Sequence, residues 1–277
     1  MTRIPLPRLI GHRGARGHFP ENTLEGFRLA IEAGILAFEI DIAITKDSVP
    51  VLHHDPALNT DVASLGGRYL SGSLPLIKDI PFDELQDFDI GRLRPGSDYA
   101  ALYPEQTPIE GCRIPTLAQA LALDPRVIWT IELKLMPDRP DWTVTPEAMV
   151  ETVLAITDAA AATDRIILQS FDWRAPRYCR SIRPEIARAW LTQPGTTADA
   201  PLWWNRPPAP LPEAVAEEGG GTWAPRHDEV TEAQVARAHA LGIRVVPWTV
   251  NNQADMDRFA AWGVDAIITD YPLRPTA

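Results

Sequence analysis

Three short apolar runs end in polar groups: Ile10-Gly11-His12-Arg13-Gly14, Phe38-Glu39-Ile40-Asp41-Ile42 and Val51-Leu52-His53-His54-Asp55. Each reads as a strand. Burial at the end of an apolar strand disfavours the charged forms of carboxyl and imidazole groups, so a chain that accepts this three times in succession is building a site. Glu39 and Asp41 are two residues apart, which puts them on one side of a strand, where they can share a divalent cation. His12 and His54 suit a proton donor and a proton acceptor. Taken singly, each is equally a solvated strand-end residue. Their combination points to chemistry.

Outward from these runs, strand-like and helix-like segments alternate. Strands are expected at residues 9–13, 37–45, 49–54, 127–134, 165–170, 186–191, 221–224, 244–248 and 266–269. Helices are expected at 21–34, 116–123, 146–162, 231–241 and 253–262. The first carries Leu24, Phe27, Ala30 and Ile31 on one face and stops at Gly34; Thr231 with Gln234 fits a capping box. Nine strands are one too many for an eight-stranded barrel. Parallel neighbours need a crossover of about a dozen residues, so the turn Thr45-Lys46-Asp47-Ser48 must fold the chain back antiparallel. Centred between residues 47 and 48, this hairpin pairs Asp41 opposite His54 and delivers His54 to the carboxylates. The other eight strands form an α/β (β/α)8 TIM barrel with a hairpin arm.

Residues 56–115 are rich in Gly and Pro and lack a long periodic element. They read as an insertion on the catalytic face of a single barrel domain spanning 1–277. Residues 193–212, with Trp203-Trp204, read as a long loop, and loops of such length are usually functional.

The chain has 277 residues, 45% of them hydrophobic, and suits one large domain or two small ones. Its net charge of −11 argues against nucleic acid or an anionic membrane as main partner, since both need a broad basic face. A phosphate-bearing substrate stays open, because an ion and a few local cations reverse the sign inside a pocket. Cys112 and Cys179 lack metal-ligand spacing and read as packed thiols. No apolar run is long enough to span a bilayer, and none precedes His12 that fits a secretory signal. The expectation is a cytoplasmic protein with no stable membrane insertion.

A third acid lies in Thr130-Ile131-Glu132-Leu133-Lys134, with Glu132 and Lys134 on one strand face; alone, that pair reads as a surface ion pair. Glu39, Asp41 and Glu132 together offer hard oxygen ligands suited to Mg²⁺ or Ca²⁺.

The runs His12-Arg13-Gly14-Ala15, Pro20-Glu21-Asn22-Thr23, Glu39-Ile40-Asp41, His53-His54-Asp55, Glu132-Leu133-Lys134, Trp248-Thr249-Val250-Asn251 and Ile268-Thr269-Asp270-Tyr271-Pro272 resemble the glycerophosphodiester phosphodiesterases. The resemblance spans nearly the whole chain. It implies a barrel of the phosphatidylinositol-phospholipase-C-like type, with an insertion after the His-Asp motif. It implies His12 and His54 as general acid and base, one divalent cation (Mg²⁺ or Ca²⁺) on Glu39, Asp41 and Glu132, and Arg13 and Lys134 on the phosphate. Trp248 either packs against the glycerol or lines the pocket mouth. The implied substrate is a small glycerophosphodiester, cleaved to sn-glycerol 3-phosphate and an alcohol. Attack comes from the neighbouring glycerol hydroxyl, through a cyclic phosphate, or from water. Alternatives on the same fold are a lysophospholipase D-like activity, suggested by exposed Trp203-Trp204, and a non-catalytic glycerophosphate-binding relative.

Three departures from the family pattern stand out. Ser48 replaces the usual turn glycine, and Asn59-Thr60-Asp61 replaces Arg-Thr-Thr. His18 is an extra histidine, read as solvent-exposed. His53 should point into the wall, His239 should be structural, and His227 falls near the barrel's C-terminal face.

Overall fold

The computed structural model describes residues 4–274. Its strands in chain order are β1 (Leu9–His12), β2 (Ala37–Ile44), β3 (Pro50–Leu52), β4 (Ser64–Leu65), β5 (Arg68–Tyr69), β6 (Phe88–Asp89), β7 (Ile128–Leu133), β8 (Ile166–Ser170), β9 (Ala187–Thr192), β10 (Thr222–Pro225), β11 (Arg244–Val245) and β12 (Ile267–Thr269). Eight of them run parallel in the order β12-β1-β2-β7-β8-β9-β10-β11. The ends of this path meet where Asp265 N donates to Val245 O and Ile268 N to Pro247 O, both at 3.0 Å, which closes the (β/α)8 barrel.

Alternation along the strands decides which side chains reach the lumen. Phe38, Ile40 and Ile42 of β2 and Trp129, Ile131 and Leu133 of β7 face outward into a helix-covered core, where Phe27 meets Trp129 edge-on at 5.3 Å. Burying each of these large side chains contributes roughly 1.5–3 kcal/mol. The alternate residues face inward. Ile10 and Ala37 join an apolar plug with Val246, Ala266 and Ile268. One pleat further along, the same faces carry His12, Glu39 and Asp41. The plug forces the polar groups to the C-terminal mouth.

The β2–β3 hairpin forms, but one residue out of the expected register. Ile42 pairs with Leu52, and His53 N donates to Asp41 O at 3.1 Å, so His53 rather than His54 lies opposite Asp41. The cause is the turn. Thr45 N donates to Val49 O, leaving a three-residue loop, Lys46-Asp47-Ser48, that ends with Ser48 at φ 63°. The first helix begins at Leu24, not residue 21, with Thr23 capping Gly26 N; Asn22 at φ 52° cannot lie in a helix.

The helix Arg174–Ile182 lies outside the expected set: its buried residues are only the small Ala175, Pro176 and Cys179, beside polar positions at Arg174, Arg177, Arg180 and Ser181. Residues 193–212 are not wholly loop but carry the short helices Pro194–Ala198 and Ala200–Trp203. Trp204, expected at the surface with Trp203, is fully buried and stacks on Trp173 at 4.2 Å and 10°. In the 56–115 segment, β4, β5 and β6 form a small antiparallel sheet. Its cluster of Val62, Ile77, Ile80, Leu85, Ile90 and Ile114 also takes in Ala43 and Val51 of the hairpin. Among the described residues, no helix is long and apolar enough to cross a membrane.

Candidate active site

A cavity of about 400 Å³ opens at the C-terminal mouth and is lined by His12, Arg13, Glu39, His54, Glu132, Lys134 and Trp248, among others. One carboxylate oxygen each of Glu39, Asp41 and Glu132 lies within 4.8 Å of the other two, and all three residues are buried. Register produces this: Asp41 pairs with Glu132 across β2–β7, and Glu39 is one inward position earlier. All eight candidate residues named above therefore gather at one mouth, Asp41 just beneath the lining.

His12 sits at the end of β1, with Nδ1 2.7 Å from Asp270 Oδ1 and Nε2 3.7 Å from Glu39 Oε2. Nδ1–H is the donor to Asp270, since a carboxylate only accepts. Arg16 Nη2, 3.0 Å from the same nitrogen, is satisfied instead by Asp270 Oδ2 at 3.2 Å. Nε2 is left as an acceptor. Burial, and secondarily Arg16, push the imidazole down to about 4, so it is neutral at pH 7. His54 has Nδ1 2.7 Å from Asp55 Oδ1, and burial followed by Arg13 and Lys134 likewise push it down to about 4.

A sharp turn follows His12. Arg13 adopts φ 50°, and a Cβ at Gly11 would stand 1.8 Å from Gly14 O. The turn aims Arg13 N at Glu39 Oε2 (3.4 Å), Nε at Asp41 Oδ2 (3.2 Å) and Nη1 at Glu21 Oε1 (2.9 Å). Lys134 Nζ reaches Glu132 Oε1 at 2.6 Å and Asp41 Oδ1 at 3.6 Å. Burial opposes Asp41's charge, but Arg13, His54 and Lys134 outweigh it and hold the carboxyl well below the usual range. Glu39 goes the other way: burial, then Asp41 and Glu132, drive it well above that range. Burial also raises Glu132, against the pull of Lys134.

These acids fit a hard divalent cation. Burial and the neighbouring acids hold Glu39 back from ionising, a penalty that a cation would relieve, and Asp41 Oδ1 has no hydrogen-bond partner. An ion held there would let all three acids ionise while adding positive charge toward an anionic substrate.

Several residues at the mouth carried no expected role. Asp270 follows Ile267-Ile268-Thr269, another apolar strand ending in an acid, and Asn251 Nδ2 donates to its Oδ2 at 2.7 Å. Asn22 Nδ2 holds Asp41 Oδ2 at 3.0 Å, and Gln169 Nε2 reaches Glu39 Oε1 at 3.3 Å. Tyr99, from the 56–115 segment, donates to Glu21 and accepts from Arg16 Nη1 at 3.0 Å. Nothing in the local pattern around Tyr99 announces this.

The remaining histidines lie outside the cavity lining. His53 is buried, with Nδ1 2.8 Å from Asp55 O, as a wall residue should be. His18 is not solvent-exposed: it is half-buried edge-on to Tyr271 at 5.4 Å. His227 lies 3.8 Å from Asp255, and His239 is 3.1 Å from Asp265 on an exposed helix face.

Residues 12–274 match the Glycerophosphoryl diester phosphodiesterase family. A solved structure from Silicibacter pomeroyi DSS-3, provisionally named a glycerophosphoryl diester phosphodiesterase, is 36% identical with a TM-score of 0.89, over 98% of this chain and 92% of that one. An Oleispira antarctica phosphodiesterase, solved in complex with the product sn-glycerol-3-phosphate, is 25% identical with a TM-score of 0.74, over 97% and 94% of the two chains. A glycerophosphodiester phosphodiesterase of Caldanaerobacter subterraneus subsp. tengcongensis is 27% identical over 266 residues, 95% of this chain and 94% of the relative.

Proposed function

The chain belongs to the glycerophosphoryl diester phosphodiesterase family, and from that premise we propose that it hydrolyses glycerophosphodiesters of the glycerophosphocholine and glycerophosphoethanolamine type, giving sn-glycerol 3-phosphate and an alcohol. The observation that carries this reading is the convergence of two imidazoles, each with one nitrogen fixed by a carboxylate, on one buried acid cluster.

Glu39, Asp41 and Glu132 would hold one divalent cation, Mg²⁺ or Ca²⁺. Such an ion supplies neutralisation of negative charge on a non-bridging phosphoryl oxygen. Arg13 and Lys134 add fixed positive charge where the transition state gains negative charge. His12 and His54 divide the proton work. One Nε2 takes the proton of the attacking hydroxyl, the substrate's own or water's, as its oxygen bonds to phosphorus; the other, protonated, gives its proton to the departing alkoxide. Each contributes typically ~10²–10⁴-fold. Both imidazoles are neutral without substrate, held down first by burial and then by the neighbouring cationic charges. The arriving phosphodiester anion opposes those charges and favours the protonated donor.

Release of glycerol 3-phosphate from both esters tests the reading, with chelator and then with Mg²⁺ or Ca²⁺ restored. Chelator-insensitive turnover would remove the ion. His12→Ala and His54→Ala should each abolish turnover while leaving the circular-dichroism spectrum and cation binding intact. Activity retained in either variant would refute the acid–base assignment.

A further inference from the structure

The cavity has two unlike halves. His12, Glu39 and Glu132 come from β1, β2 and β7, whereas Phe171 follows β8, Trp203 lies in the segment after β9, and Trp248 follows β11. Around the closed barrel the first group fills the arc β1-β2-β7 and the second the following arc from β8 to β11, the two meeting at β7–β8. Phe171 meets Trp248 edge-on at 5.5 Å and Trp203 at 6.5 Å, so the three rings form one continuous wall. The wall is rigid. Trp173 N donates to Trp203 O at 2.9 Å, the neighbouring Trp204 is stacked on Trp173, and Trp248 Nε1 is tied to Ala224 O at 2.9 Å. The lining contains no carboxylate except Glu39 and Glu132, both in the cation cluster.

Resting on the phosphodiesterase reading, we propose that this wall binds the leaving alcohol and selects one ending in a methyl-covered quaternary ammonium over one ending in a primary ammonium. A primary ammonium keeps three strong donors that need acceptors when water is removed, and the ring faces offer none. Beside the rings the lining has only neutral Gln193 and Ser170, whose hydroxyl is already engaged by Leu133 O and Asp172 N. A quaternary ammonium donates no hydrogen bond, and ring faces attract its dispersed charge. The phosphate end and the alcohol end are thus recognised by different physics.

The experiment compares kcat/KM for glycerophosphocholine, glycerophosphoethanolamine and the uncharged 3,3-dimethylbutanol ester of glycerol phosphate. The choline ester should exceed the ethanolamine ester about tenfold, and the uncharged ester by several-fold. Trp203→Ala should bring the choline-to-ethanolamine ratio close to one, and Trp203→Phe should restore most of it. A global packing defect would lower all three substrates together and leave the ratio intact. An ethanolamine ester turned over as well as the choline ester, or an uncharged ester matching it, overturns the inference. Failure to release glycerol 3-phosphate from any of the three would instead sink the phosphodiesterase reading.

Discussion

A histidine with one nitrogen pinned has a single nitrogen left for chemistry, and Asp270 does the pinning for His12. Asp270→Asn leaves the shape nearly unchanged but can present its amide N–H to Nδ1, favouring the tautomer whose Nε2 carries the proton. That variant should lose roughly 10²-fold in kcat, within the range of a positioned acid–base group, with little change in KM. It should also change acid stability. Burial opposes Asp270's charge, but His12 and Arg16 outweigh it and hold its pKa well below the ordinary aspartate value. A depressed carboxyl contributes stability that is complete above about pH 4 and is lost as the pH falls below it. The gap in urea midpoint between wild type and Asp270→Asn should therefore be widest at neutral pH and shrink through pH 4 to 3; a gap that widened on acidification would reverse the sign. Asp270 also shows what local sequence carries. The strand-end acid logic that picked out Glu39 and Asp41 applies equally to Ile267-Ile268-Thr269-Asp270, yet the partner that gives it meaning is 258 residues away. Tyr99 is a stronger case: its hydroxyl reaches Glu21 from a five-residue helix in an irregular segment, a contact that only the tertiary fold specifies.

The β2–β3 hairpin is legible in the sequence in kind but not in register. A turn too short for a crossover dictates an antiparallel return, whereas loop length and one residue's handedness decide which side chains oppose. Ser48 adopts φ 63°, where a Cβ is unfavourable. Ser48→Gly should stabilise the protein by roughly 0.5 kcal/mol, the relieved strain being partly offset by the extra freedom of glycine in the unfolded chain. The check is a higher urea midpoint at unchanged denaturant slope; destabilisation would mean that Ser48 contributes more than its backbone. The first helix taught the converse. Its apolar face is plain in the sequence, but the helix starts later than its first-turn residues suggest, because Glu21 and Asn22 are taken up by Arg13 and Asp41. Where a site claims polar side chains, the cap signal moves inward, here to Thr23. Helix Arg174–Ile182 has sharply different faces but few apolar residues, and its buried side is only the small Ala175, Pro176 and Cys179, so no apolar stripe marks it in the sequence.

The barrel as a unit accepts an electrostatic cost at its mouth. Its outward faces bury large apolar side chains, and that surplus supports an inward cluster in which Glu39 is opposed by burial, Asp41 and Glu132. Such a cluster is stabilised by whatever cation binds it only in the folded state. At about a hundredfold excess over Kd, linkage contributes about 2.7 kcal/mol, which for a chain of this size raises Tm by roughly 5 °C. Glu39→Gln separates the two effects. The amide keeps an acceptor for Arg13 N but removes the charge that its neighbours disfavour. In chelator the variant should therefore melt higher than wild type, whereas on adding Mg²⁺ or Ca²⁺ it should gain little and turn over negligibly. Scanning calorimetry of both proteins, with and without the ion, decides the matter. A variant that melts lower than wild type in chelator would mean that Arg13 and Lys134 already balance the three acids, leaving no electrostatic demand for the ion.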